Sequence, residues 1–393
     1  MSNNSRNSPV TEITMLQNDF VQIYNYILRM FHFTSIWDTK NRNDGNSNRK
    51  RVLMFVVNIF VSIFQATTII SNLIYVHEYS IFIINAVLSL VCLTMRWLLS
   101  LRIDELVKIS CNLIKQSRQY ISSVENTNKK YLYVFGILTT FLHIPVTVCS
   151  FTALLKMRLK AQMFFIHFNN SVYLWILITI LIIVQELLLL PLNTFAIYYT
   201  TVCHHLKVLM TNLGKSLNNT RDSEYDRIYK EYVSIRNLVT YIDEQLSFLV
   251  FISSVYNACT MYFALTLILH PEEYFDVTHI LSVVSLFSSN YLSYMGLTLS
   301  ASLLHEASEE LWFKLHRALM SRSEISSLQQ RFLHLLEKGL FFTVWKIVPI
   351  KRSFILAMVG TVLTYCILLD NLRSLKNVPS MVQVIGNNEA TIL

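Results

Sequence analysis

Residues 353–372 read SFILAMVGTVLTYCILLDNL, fenced by Lys351 and Arg352 before and by Arg373 and Lys376 after. A helix rises about 1.5 Å per residue, so about 20 mostly apolar residues cross a bilayer core. The stretch is a transmembrane helix candidate. Its centre is not uniformly apolar, because Gly360, Thr361, Thr364, Tyr365 and Cys366 put small and polar groups where lipid offers no partners. Such a helix is expected to face protein or water.

The rest of the chain fits the same solvent. Of 393 residues 53% are hydrophobic and 15% charged, with 24 Phe and 20 Tyr, a balance that places the chain among integral membrane proteins. Six further runs are long enough to span: 52–75, 81–100, 131–155, 171–196, 247–269 and 279–304. All are expected to be helical, since lipid does not tolerate an open strand edge. Residues 1–51 are polar and lack the short apolar core of a signal peptide, so the amino terminus is expected in the cytoplasm.

Charge sets the orientation. Counting Lys and Arg in the connections gives 25 on one side and five (Lys156, Arg158, Lys160, Arg373, Lys376) on the other. The side rich in Lys and Arg is cytoplasmic. An odd number of spans then puts the carboxyl terminus outside. The net charge of +8 is thereby a topology signal, and a nucleic-acid partner is not expected.

The cytoplasmic connections, about 101–130, 197–246 and 305–352, are long but not disordered in composition. In the third, Ile325, Leu328, Phe332, Leu335, Leu336 and Leu340 recur at helical spacing; in the second, Ile228, Val233, Ile235, Leu238, Val239 and Ile242 do so among charges. The spans are therefore expected to continue below the membrane as packed helices. The stripes suit either a helical core within one subunit or an anchor between subunits.

Chemistry-bearing residues are few. Glu186 lies mid-span beside Gln185 and five residues before Pro191; it suits either a functional intramembrane carboxylate or a protonated helix contact near a proline kink. Arg96 lies within a turn of the cytoplasmic end of its span and is read as snorkelling to the interface. Cys92, Cys111, Cys149, Cys203, Cys259 and Cys366 are scattered and read as buried small residues. His204, His205 and His316 have no ligand-spaced partners, so no metal is expected, nor any cofactor. No catalytic motif or glycine-rich phosphate loop occurs, and no enzyme is expected. Asn169 begins a glycosylation triplet on the external side.

The outer halves of the spans hold groups suited to a small-molecule pocket: Ser71, Asn72, Tyr75, Thr147, Tyr173, Trp175, Tyr262, Thr266 and Ser285. An aromatic belt with small-residue helix packing would use the same residue types.

The closing sequence carries a resemblance. Leu328-Gln329-Gln330-Arg331-Phe332-Leu333, then Phe341-Phe342-Thr343, then residues 361–369 with Thr364-Tyr365 resemble the carboxyl end of insect gustatory receptors. That family's signature is Thr-Tyr, five mostly hydrophobic residues, then Gln-Phe. Here Thr364 and Tyr365 match, Asp370 takes the fifth hydrophobic place, and Asn371 and Leu372 stand where Gln and Phe are usual. The resemblance implies a tetrameric ligand-gated cation channel related to insect odorant receptors. In such a channel the last span lines a central pore, the cytoplasmic helices anchor the subunits, and a tastant binds in the outer half of the other six spans.

The expected layout is an all-α membrane protein of seven transmembrane helices, with a cytoplasmic amino terminus, an extracellular carboxyl terminus and helical cytoplasmic extensions. Residues 1–51 form a cytoplasmic segment, 52–304 a six-helix ligand-binding bundle, 305–352 the anchor, 353–372 the pore helix and 373–393 an external tail. Partners are then a small-molecule tastant, membrane lipid and the other subunits of a homo- or hetero-tetramer, in the plasma membrane of a sensory neuron. Thr364, Tyr365, Asp370, Asn371 and Leu372 are the pore and gate candidates. Four copies of Asp370 would ring the pore mouth, or Asp370 pairs locally with Arg373. Bitter plant compounds are the expected ligands. Two rivals remain, a seven-span G-protein-coupled receptor, which needs an external amino terminus, and a secondary transporter using Glu186.

Overall fold

In the computed structural model the described residues are 23–24, 27, 46–75, 79–120, 134–138, 171–218, 224–269, 277–320, 326–368 and 371. They form helices α1 (Asn46–Tyr75), α2 (Tyr79–Tyr120), α3 (Ser171–Asn218), α4 (Tyr225–Leu269), α5 (Val277–Met320), α6 (Ser327–Glu337) and α7 (Arg352–Leu368). Strands β1 (Thr343–Val344) and β2 (Val348–Pro349) make one small hairpin between α6 and α7. Of the expected third span, only 134–138 lies among the described residues.

Helix length is the main departure from a simple bundle. The 48 residues of α3 run about 70 Å at the usual rise, roughly twice what a bilayer core needs. Helices α2, α4 and α5, of 42, 45 and 44 residues, are similar. Helices α2 to α5 are therefore each longer than a bilayer core needs, as the stripe of α4 led one to expect, whereas the third stripe lies on the separate helix α6. Among the described residues, Ala86–Ser117, Ile182–Leu217 and Tyr225–Leu269 are long and apolar enough to cross a membrane, and Phe55–Thr67 and Arg352–Leu368 are shorter apolar helices. The chain is a membrane protein of the all-α class.

The core runs along α3, which packs most extensively on α5 and also on α2, with α4 closing the group. Phe195, Tyr198, Tyr199, Val202 and Leu206 on α3 are fully buried, as are Leu297, Ala301, Leu304 and Leu315 on α5. The apolar stripes find their partners inside the subunit. Phe332 and Leu336 of α6, and Ile228, Ile235 and Ile242 of α4, join this one core, with the ring of Phe332 5.6 Å from that of Tyr232.

Local signals fix α6 at both ends. Ser326 Oγ accepts from Gln329 N–H at 3.2 Å while Gln329 Oε1 accepts from Ser326 N–H at 3.0 Å, a reciprocal cap that satisfies two donors. At the other end Arg236 Nη1 donates to the carbonyl of Leu335, 2.8 Å, and Gly339 turns the chain at φ 62°, a conformation that favours glycine. Leu340 N–H then donates to Ser308 Oγ on α5 at 3.1 Å. The exit from α6 is thus pinned to α5.

Not every cysteine is buried. Cys111 is exposed, because the extension of α2 has a solvent side that its apolar sequence neighbours conceal. Cys92, Cys203 and Cys366 are buried, as expected.

Candidate functional site

Helix α7 stands at the edge of the bundle. Ile355 and Cys366 are buried, and Ile355 packs with Met261 of α4 and Tyr294 of α5. Most of the rest is uncovered: Leu356 is 75% exposed and Ile367 61%, Leu363, Tyr365 and Leu368 are exposed, and nothing lies within 4 Å of where a side chain on Gly360 would begin. An apolar helix uncovered on this scale needs lipid or further protein against it.

Its polar groups are accommodated within the helix. Thr361 Oγ1 donates to the carbonyl of Ala357 at 2.7 Å and Thr364 Oγ1 to that of Gly360 at 2.8 Å. Hydroxyls turned back onto the preceding turn satisfy themselves without an outside partner. Thr364 and Tyr365 are both exposed, as is Asn371. Asp370 and Leu372 lie outside the described residues.

The base of α7 is held by the β1–β2 hairpin. Asp243 of α4 accepts from both Thr343 N–H and Thr343 Oγ1, each at 2.7 Å, and Trp345 N–H donates to the carbonyl of Ser247 at 3.1 Å. Trp345 and Lys346 have φ of 52° and 58°, the left-handed region that costs a side-chain-bearing residue energy. The Trp345 ring lies 4.8 Å from that of Phe251 and 5.8 Å from that of Phe248, and Lys346 Nζ lies 3.6 Å from Glu244. These contacts hold the turn in place. At the first residue of α7, Arg352 makes two bonds to the Glu306 carboxylate of α5, at 2.5 and 2.7 Å. The helix is therefore mounted on α4 and α5 at one end and nearly uncovered beyond.

The pocket candidates are only partly brought together. Tyr262 and Thr266 are half-buried on successive turns of α4, where Thr266 Oγ1 bonds the carbonyl of Tyr262 at 3.0 Å. Ser285 is buried on α5, whereas Trp175 on α3 is exposed. Ser71, Asn72 and Tyr75 occupy the end of α1 and Tyr173 the start of α3, with their side chains outside the described set; Thr147 lies outside the described residues. No group of three or more metal-binding side chains occurs among the described residues. His205 is instead a core residue, bonded by Ser117 and by Tyr24 OH at 3.4 Å.

Sequence reasoning missed three groups. Asp243 and Thr343 are 100 positions apart, and nothing local marks either. Arg96 does not turn to water: Nε donates to Asn58 Oδ1 at 2.8 Å and Nη1 to the carbonyl of Leu187. The signal that could have found it was Pro191, whose missing N–H leaves the Leu187 carbonyl in want of a donor.

No family model matches the sequence, and no curated protein does. Solved structures do match in three dimensions. The insect olfactory receptor OR5 from Machilis hrabei in complex with eugenol superposes with a TM-score of 0.69, at 16% identity, over 92% of this chain and all of that one. A second structure of the same receptor gives 0.64 at 17% identity, over 91% of this chain and 99% of that one. The likeness covers nearly the whole of each chain, and this chain has the fold of that insect olfactory receptor.

Proposed function

We propose that the chain is a gustatory receptor, a tastant-gated, non-selective cation channel in which four subunits, identical or mixed, bring their α7 helices together around a pore. The observation that carries this reading is α7 itself, fixed at its base through Asp243, Thr343, Arg352 and Glu306 and uncovered over the remainder. A ring of such helices would cover the apolar faces with one another and leave the outer turn, with Thr364, Tyr365, Asp370, Asn371 and Leu372, as the gate. The fold of a receptor solved with the small molecule eugenol supports a small-molecule ligand here. That ligand would enter among Ser71, Asn72, Tyr75, Thr147, Tyr173, Trp175, Tyr262, Thr266 and Ser285. Bitter plant compounds are the class we favour, because the closing motif departs from Gln-Phe.

Whole-cell recording from cells that express only this chain tests the proposal, with plant alkaloids, glycosides and sugars applied under G-protein blockade. A ligand-evoked cation current that survives blockade is expected. Silence on all compounds, with surface expression verified and with known receptor subunits co-expressed, would overturn it.

A further inference from the structure

Pro191 lies inside α3, and a proline has no N–H to give to the carbonyl four residues before it. That carbonyl belongs to Leu187. Val184, Leu188 and Leu192 of the same stretch of α3 are buried, and an unpaired carbonyl oxygen within a membrane-spanning helix is costly. The chain supplies a donor from another helix. Arg96 of α2 donates through Nη1 to Leu187 O, and the Nε of the same guanidinium donates to Oδ1 of Asn58 on α1 at 2.8 Å. Asn58 is 1% exposed and passes the chain on, its Nδ2 donating to Oγ of Ser100 at 2.7 Å, one turn along α2 from Arg96.

A snorkelling arginine would spread its head into water. This one ends on a helix carbonyl and a buried amide, and it joins three helices at one cation. A guanidinium suits the position, because its planar fork holds the Nε and Nη1 donors in fixed, separate directions, whereas an ammonium must place its donors from a flexible stem. We infer that Arg96 replaces the hydrogen bond that Pro191 removes from α3, and that Arg96, Asn58 and Pro191 act as one positioning unit. The unit fixes the angle between the two halves of α3 relative to α1 and α2. Resting on the channel reading above, it also sets how readily a ligand among the outer helix ends bends α3 and so reaches the gate.

The unit makes Arg96 and Pro191 interdependent, and a double-mutant cycle measures that directly. The full-length chain is prepared as wild type, Arg96→Met, Pro191→Ala and the double variant, and the thermal midpoint of the solubilised protein is read for each. The Pro191→Ala substitution restores the N–H to the Leu187 carbonyl. Arg96→Met is therefore expected to lower the midpoint by several degrees when Pro191 is present and by clearly less in the Pro191→Ala background, where only the bond to Asn58 is lost. Equal losses in both backgrounds would overturn the unit. If Arg96→Met alone yields no folded protein, recovery of folded protein in the double variant supports the unit, and failure of both overturns it. Currents give a readout that packing alone would not move: loss of a hydrogen bond to a charged donor is expected to shift the half-effective ligand concentration about tenfold, with Pro191→Ala returning it toward wild type and Arg96→Lys failing to. Coupled midpoints without any evoked current, with surface expression verified and receptor subunits co-expressed as above, would leave the unit standing and remove the channel reading.

Discussion

The ring of Phe135 fills the space in which a side chain at Gly296 would begin. A Cβ on Gly296 would lie 2.2 Å from Phe135 Cζ and 2.5 Å from its Cε2, both far inside contact distance, and Phe135 is buried. The third span thus approaches α5 at the one place where α5 has no side chain.

Gly296→Ala is expected to destabilise the chain by about 1–3 kcal/mol, the usual cost of overpacking. Combining it with Phe135→Leu should recover part of that loss. Thermal midpoints of the four proteins check this, and strictly additive losses would show that the two residues do not share the space.

Asp243→Ala removes the acceptor of two Thr343 donors at once, and leaving them unsatisfied is expected to cost about 1–3 kcal/mol. Thr343→Val removes one donor and keeps the N–H bond, so its loss should be smaller. If α7 is the gate, the alanine variant should also change the half-effective ligand concentration more than the valine variant does. The reverse order in dose–response curves would argue against the carboxylate as the mount.

Phe332 is fully buried where α6 meets Tyr229 and Tyr232, with ring separations of 5.7 and 5.6 Å. Phe332→Ala is expected to cost about 3–5 kcal/mol through the cavity it leaves. Because that stripe is satisfied within the subunit, the loss should appear in the monomer's midpoint and should not depend on protein concentration.

Asp370→Asn tests the proposed acidic ring at the pore mouth. Weaker cation preference and weaker block by divalent ions are expected. Unchanged reversal potential and block would assign Asp370 to a local pair with Arg373.

Hydropathy made most of the helices legible, because spanning lipid leaves a continuous apolar record over about 20 residues. The stripes through Phe332 and Leu336 and through Ile235 and Ile242 were legible for a similar reason, since a buried helix face repeats every third or fourth residue. Whether those faces met their own chain or another copy was not, because spacing shows that a face is covered and is silent on what covers it. The same blindness applied to Arg96: a long side chain near a span end can turn either way, and only the position of Leu187, 91 residues along, decides which. Asp243 and Thr343 gave no warning at all. A carboxylate followed directly by another, Glu244, looks solvated until the hairpin arrives beside it.

Pro191 divides the rod-like α3 unevenly, with about 30 Å of helix before it and about 40 Å after. A rotation of only about 3° at that point would carry the far tip sideways by about 2 Å, since displacement grows with the length of an unbroken helix. At the tip, a side chain at Gly214 would begin at ordinary contact distance, 3.6 Å from Leu311 and 3.7 Å from the Lys314 ammonium of α5. A shift of that size is more than such packing absorbs without rearrangement, so angles too small to notice near the outer surface become whole side-chain displacements deep on the other side.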